Sequence, residues 1–134
     1  MVLLMDPVEE QRMLEEKVGK ALEEATTKLE IALDNLSKGG TDSEKKVWLA
    51  EEASEYSSLL YSLTYRLEDE DPSVPVRKRN AEPIPLVKES AESLRRAAEL
   101  RGKSPLEGYE YLRTAVYKLR EAHHILEKAG AKKR

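Results

Sequence analysis

The sequence predicts an all-α fold, an antiparallel four-helix bundle made of two helical hairpins, and three observations carry that prediction. Four stretches space their apolar residues alternately four and three apart: Val18-Leu22-Ala25-Leu29-Ala32-Leu36, Leu49-Ala53-Tyr56-Leu60-Leu63-Leu67, Val87-Ala91-Leu94-Ala98 and Leu112-Ala115-Leu119-Ala122-Leu126-Ala129. That period gathers each set onto one stripe of a helix, and the stripe has to bury against other helices. Charged residues make up 37% of the chain, and Leu and Ala dominate the apolar set while Phe is absent. Such a mixture belongs to long solvated helices rather than to sheet. Start and stop signals, finally, fall at the ends of the stripes.

The first helix is expected from Asp6 to about Lys38. Asp6 caps it, Pro7 suits the first helical position, and Glu9 completes a capping box. Gly39-Gly40 supplies the left-handed stop. The second helix opens at Thr41-Asp42-Ser43-Glu44, another capping-box pattern, and runs to about Glu68. The turn between them is so short that residues 6–68 form an antiparallel hairpin. Residues 69–84 are a linker containing Pro72, Pro75 and Pro83, acidic at first and then basic at Arg77-Lys78-Arg79. Fully extended it spans about 50 Å, enough to travel the length of a bundle. The second hairpin is expected over residues 85–129. Its first helix runs from Pro85 to Arg101 and stops at Gly102; its second starts at Ser104-Pro105-Leu106-Glu107 and ends near Ala129. A basic tail, 130–134, follows. At 134 residues the whole chain is expected to be a single domain, with a real core and no need of disulfides. The third helix is about half as long as the first, so part of the first hairpin is left uncovered.

Composition narrows the function classes. Cys is absent, which removes disulfide scaffolds, thiolate metal sites and cysteine nucleophiles. No Gly-rich phosphate loop, nucleophile–base arrangement or zinc-ligand spacing occurs. The scarcity of amides, with Gln11, Asn35 and Asn80 the whole set, together with abundant Glu, Lys and Arg, resembles thermophile proteins. The start, Met1-Val2-Leu3-Leu4-Met5, has no basic leader, and no apolar run reaches the length of a membrane span, so a cytoplasmic protein is expected. The net charge of −3 conceals an asymmetry: residues 1–70 carry 17 acidic and 8 basic side chains, residues 71–134 carry 9 and 15. The acidic half can dock on the basic half within one bundle, or the two can guide assembly between copies or an acidic ligand.

All seven aromatics lie on the second and fourth helices: Trp48, Tyr56, Tyr61, Tyr65, Tyr109, Tyr111 and Tyr117. Trp48, Leu59, Tyr61 and Tyr65 fall outside the leucine stripe and widen the apolar arc of the second helix, which marks them as a partner interface. The fourth helix carries a ladder of Glu110, Arg113, Tyr117, Arg120, His124 and Glu127, which suits a solvated ion-pair face or, with Arg77-Lys78-Arg79 and the tail, contacts to nucleic acid. Glu121 and His124 have the Glu-x-x-His spacing of di-iron bundles, but a second such motif cannot exist because His123 and His124 are the only histidines. His123 shares a seven-residue repeat with Tyr109 and Val116, the placement of a residue at the core edge.

Two resemblances bear on function. The first hairpin, with Ala-rich helices joined by a glycine turn, resembles the HEPN family of small helical bundles in outline. That family's active motif sets an Arg at a fixed spacing before a His; here Arg120 stands too close to the histidines and Arg113 too far, so the likeness implies shape rather than ribonuclease chemistry. Over residues 17–68, Lys17-Val18-Gly19, Glu23-Glu24-Ala25-Thr26-Thr27, Glu51-Glu52-Ala53-Ser54-Glu55 and Leu59-Leu60-Tyr61 resemble the all-α nucleotide pyrophosphohydrolases of the MazG and phosphoribosyl-ATP pyrophosphohydrolase type. The resemblance implies Mg²⁺ held by Glu23, Glu24, Glu52 and Glu55, with Thr27 in place of that family's third Glu and Glu55 in place of its Asp. The leucine frame instead turns Glu23, Glu24, Glu51 and Glu55 away from the seam. The sequence reading favours a non-enzymatic bundle, without cofactor or metal, that works by self-assembly or by binding a protein partner. A Mg²⁺-dependent pyrophosphohydrolase-like protein, active or inactive, and a nucleic-acid-binding bundle are the alternatives.

Overall fold

The computed structural model describes residues 6–72 and 81–132 and contains four helices: α1, Pro7–Ser37; α2, Ser43–Thr64; α3, Pro83–Leu100; and α4, Pro105–Lys132. The start at Met1–Met5, the Arg77-Lys78-Arg79 run and the end of the basic tail lie outside the described residues. Each helix touches two others: α1 packs on α2 and α3, and α4 packs on α2 and α3. The helices thus occupy the corners of a square, with α1 and α4 on one diagonal and α2 and α3 on the other. Contacts between ends set the directions. The Gln11 side-chain amide donates to the Thr64 carbonyl, Arg101 donates to the Glu15 carbonyl, and the Tyr61 hydroxyl donates to the Pro105 carbonyl. Every neighbouring pair is therefore antiparallel, and the end of α2 and the start of α3 lie at opposite ends of the bundle. No helix among the described residues is long and apolar enough to cross a membrane.

The caps explain the boundaries. Asp6 Oδ1 accepts from the Val8 amide at 2.9 Å, as expected of an N-cap. At the other end of α1, Gly39 takes a φ of +68°, and the amide of Gly40 donates to the Asn35 carbonyl at 2.8 Å, closing a Schellman turn. The capping box expected at Thr41-Asp42-Ser43-Glu44 does not form. Asp42 makes no side-chain cap, and the Ser43 hydroxyl bonds back to Asn35 Oδ1 and the Gly40 carbonyl, tying the two helix ends together. Helix α2 stops at Thr64, short of Glu68, because Arg66 adopts φ +57° and Leu67 donates to the Ser62 carbonyl in a second Schellman turn. The acidic run from Glu68 is thereby kept off the negative end of the helix dipole. Helix α3 begins two residues early, since prolines in a first turn give up amides that have no intrahelical partner. Helix α4 continues through Gly130.

Three of the four stripes point inward over most of their length. Val18, Leu22, Leu29, Val87, Leu94, Leu112 and Leu119 are buried, interleaved with Ala25, Ala32, Ala115 and Ala122; on α3 Ala97 takes the buried place expected of Ala98, which is exposed. Helix α2 departs from its stripe. Its buried face is Ser43, Val47, Ala50, Glu51, Ser54, Ser57, Ser58, Tyr61, Ser62 and Thr64, while Tyr56 and Leu63 of the leucine stripe are exposed. The inward face is made of small side chains, several of which carry their own acceptor. The hydroxyls of Ser57 and Ser62 donate to the carbonyls of Ala53 and Leu59, so burial leaves them satisfied. Small residues let α2 approach α1 and α4 closely, and Tyr61 fills the space between them. A Cβ at position 108 would overlap the Tyr61 hydroxyl, which is why α4 carries Gly108 at this crossing.

Two substitutions test this account. The fully buried Ser54 hydroxyl has no hydrogen-bond partner, so Ser54→Ala is expected to stabilise the chain by about 1 kcal/mol in urea unfolding. Arg66 holds a left-handed conformation that costs a side-chain-bearing residue, and Arg66→Gly is expected to add about 1 kcal/mol in the same measurement.

Candidate functional site

The polar chemistry of the molecule is concentrated where α2 meets α4. Along α4, Arg113, Tyr117 and Arg120 stand at helical spacing on one face. The guanidinium carbons of the two arginines lie 5.2 and 5.3 Å from the centre of the Tyr117 ring, one on each side along the helix. Both cations converge on one carboxylate of α2. Arg113 Nη1 donates to Glu55 Oε2 at 3.1 Å and to Ser58 Oγ at 3.0 Å, and Arg120 Nη2 pairs with Glu55 Oε1. The ion pairs expected within α4, such as Glu110 with Arg113, give way to these pairs between helices, because the inward turn of α2 brings Glu55 within reach. Beside them a recess of about 330 Å³ is bounded by Ser58, Leu59, Ser62, Tyr109, Arg113 and Tyr117 and by Glu70, Asp71 and Pro72 of the connection.

Two turns toward the other end of the bundle is a second cluster. His123 of α4 sits half-buried, with Nδ1 3.5 Å from Glu51 Oε2 and Nε2 3.8 Å from Glu44 Oε1. Glu127, one turn further along α4, brings an oxygen to 4.0 Å from the same Nε2. Donor atoms of Glu44, His123 and Glu127 all lie within 4.8 Å of one another. A recess of about 390 Å³ opens next to them, lined by Thr41, Asp42, Glu44, Lys45, Trp48 and His123. Glu51 is buried, and the loss of water raises its pKa; His123 and Arg120 oppose that rise, and Glu52 adds to it.

The tyrosines form the structural end of the same seam. Tyr61 stacks on Tyr109 with ring centroids 6.0 Å apart and packs against Tyr65 at 4.8 Å. Burial raises the pKa of both Tyr61 and Tyr65, and neighbouring Arg101 partly offsets this. The expectation that Trp48, Leu59, Tyr61 and Tyr65 share an exposed edge is corrected by this geometry. Trp48 and Leu59 are exposed, but Tyr61 is fully buried and Tyr65 packs on the core, because the inward face of α2 lies on their side of the helix. The outward face carries Tyr56 and Leu63 instead, 58% and 52% exposed, flanked by Leu59 at 58% and Trp48 at 42%.

The carboxylates assigned to Mg²⁺ by resemblance do not come together in the chain. Glu23 and Glu24 are exposed on α1; Glu23 lines a groove toward α3 and Glu24 pairs with Lys28. Glu52 is exposed on α2, and Glu55 faces α4 with both oxygens engaged by arginine. Glu51 and Glu55 also depart from the leucine frame, which placed them away from the packed face. Tyr56 and Leu63 were legible only as core positions; the cluster of Glu44, Glu51, His123 and Glu127 had no linear motif, although Glu44 and Glu51 are two turns apart on α2 and His123 and Glu127 one turn apart on α4.

No protein-family model, curated protein or solved structure gives a significant match to this chain.

The raised pKa of Glu51 makes a pH prediction. A carboxyl that is harder to ionise folded than unfolded contributes stability that is fullest below its ordinary value of 4.5 and is lost as the pH rises through the folded value. Glu51→Gln, which keeps the shape without the charge, is expected to raise the melting temperature at neutral pH. The gain should shrink to nothing in a scan below pH 4.5, where Glu51 is protonated.

Proposed function

We propose that this chain works by binding, and that it does so as a homodimer joined through the outer face of α2. The observation that carries this reading is an apolar strip on the outer face of α2, Trp48, Tyr56, Leu59 and Leu63, that the bundle leaves exposed. Tyr56, Leu59 and Leu63 follow one another at three and four residues, the spacing by which one helix packs on another, while Ala53, Leu60 and Leu67 of the leucine stripe pack on the core of their own chain. Inside the chain, the opposite, serine-rich face of α2 takes the contacts with α1 and α4. A second copy is the occupant that this strip fits. Laid antiparallel across a two-fold axis at Tyr56, the strip is its own complement: Leu63 faces the partly covered Leu49 of the other copy, and the large Leu59 faces the small Ala53. An isologous contact of this kind closes on itself and stops at two chains. Trp48 flanks the strip and extends its apolar width.

The engagement of Arg113 and Arg120 with Glu55 weighs against the nucleic-acid reading, since both guanidinium groups are turned onto a carboxylate of the protein. The separation of Glu23, Glu24, Glu52 and Glu55 weighs against pyrophosphohydrolase chemistry within one chain.

Tyr56→Glu combined with Leu63→Glu alters two outward side chains without touching the core. Light scattering is expected to give twice the 15.2 kDa chain mass for the natural sequence and a single-chain mass for the double variant, with unchanged helical circular dichroism. A natural chain that runs as a monomer at every concentration tested would sink the proposal.

A further inference from the structure

We infer that Glu44, His123 and Glu127 form a binding site for a divalent transition-metal ion of the zinc class. Three features of the cluster point there. The donor set is one imidazole and two carboxylates, a mixture of nitrogen and oxygen suited to zinc, cobalt or manganese rather than to calcium. The donor atoms lie within 4.8 Å of one another. A tetrahedral ion with bonds of about 2.0–2.2 Å holds its donors roughly 3.4 Å apart, so the carboxylates need to draw in by about an ångström. Glu44 and Glu127 are half-exposed and exposed, and their side chains have the freedom to do so.

The third feature is the residue behind the ring. Glu51 lies 3.5 Å from His123 Nδ1 and is itself buried. A carboxylate in that position draws the imidazole proton to Nδ1 and leaves the lone pair of Nε2 free for the ion, the carboxylate–histidine–metal relay of many zinc sites. The carboxylates of Glu44 and Glu127 approach from the Nε2 side. Three protein donors leave a fourth position for water or a small anionic group, and the recess lined by Asp42, Lys45 and Trp48 adjoins it. The ion would tie α2 to α4 at the end of the bundle opposite the tyrosines, adding to stability by the free energy of binding.

Trp48, the only tryptophan, borders this recess and serves as an internal reporter. The untagged full chain, stripped with chelator, is titrated with zinc by calorimetry and with cobalt while Trp48 fluorescence is followed. The expected result is saturable binding of one ion per chain, quenching of Trp48 by cobalt and a rise in melting temperature with zinc. Glu127→Gln, at an exposed position that the fold does not need, should weaken binding about tenfold or more, and Glu51→Gln by about 10–100-fold while folding at least as well as the natural chain. His123→Ala should abolish binding, and His124→Ala, one residue away on the exposed side, should leave it intact. Absence of saturable binding, or binding that follows His124 and ignores Glu127 and His123, overturns the assignment. The calorimetric titration is repeated on the Tyr56→Glu with Leu63→Glu variant, which leaves every proposed ligand in place. It separates metal binding from dimerisation, which Trp48 at the flank of the apolar strip would otherwise report as well.

Discussion

The organisation of this molecule depends on which way α2 faces. Its inward surface is small and hydroxylated, and that is what lets it sit close to both α1 and α4. Once it is seated there, Tyr61 must fill the gap, Gly108 must make room for it, and Glu51 and Glu55 are carried into the seam with α4. Two carboxylates in a partly dry seam require partners, and α4 supplies Arg113 and Arg120 to Glu55 and the His123 ring to Glu51. The same rotation leaves Tyr56, Leu59 and Leu63 on the surface, while Leu60 stays packed on the core. The buried polar seam and the exposed apolar stripe are two results of one orientation.

That orientation also decides how much of the fold and its sites was legible in the sequence. The number of helices, their hairpin pairing and three of the four buried stripes follow from apolar spacing, because in α1, α3 and α4 the largest apolar residues are the ones that pack. The rule fails on α2, where serines take the packed side. An apolarity count cannot see that a serine bonded to the carbonyl four residues before it behaves as a small neutral filler. Reading Leu49 to Leu67 as core therefore turned Glu55 outward and placed Tyr61 on the surface. The cluster around His123 was invisible for a different reason: its members come from two helices, and only the antiparallel pairing of α2 with α4 sets Glu44 and Glu51 opposite His123 and Glu127.

The charge asymmetry of the chain finds a structural use in the same seam. Glu44, Glu51 and Glu55 belong to the acidic half, and Arg113, Arg120 and His123 to the basic half. Their pairing makes docking between hairpins specific in register as well as favourable in sign. Glu55 bridges Arg113 and Arg120 from a position level with Tyr117, and a shift of one turn would take it out of reach of one of the two. Lys118 with Glu89 extends the logic to the contact between α3 and α4, where the Ser90 hydroxyl also reaches the Ala115 carbonyl.

The square arrangement with its single crossover has a consequence for how the chain comes together. Within each hairpin the contacts are local and close quickly; between hairpins they wait for residues 65–82 to bring the second pair of helices round. Where they meet, the acidic side chains of α2 face the arginines of α4, and such charges attract over roughly a Debye length, about 8 Å at physiological salt. Folding of this chain is then a form of intramolecular recognition. The connection acts as a tether that holds two complementary partners at high local concentration, and the ion pairs along α2 and α4 select the one alignment in which they lock.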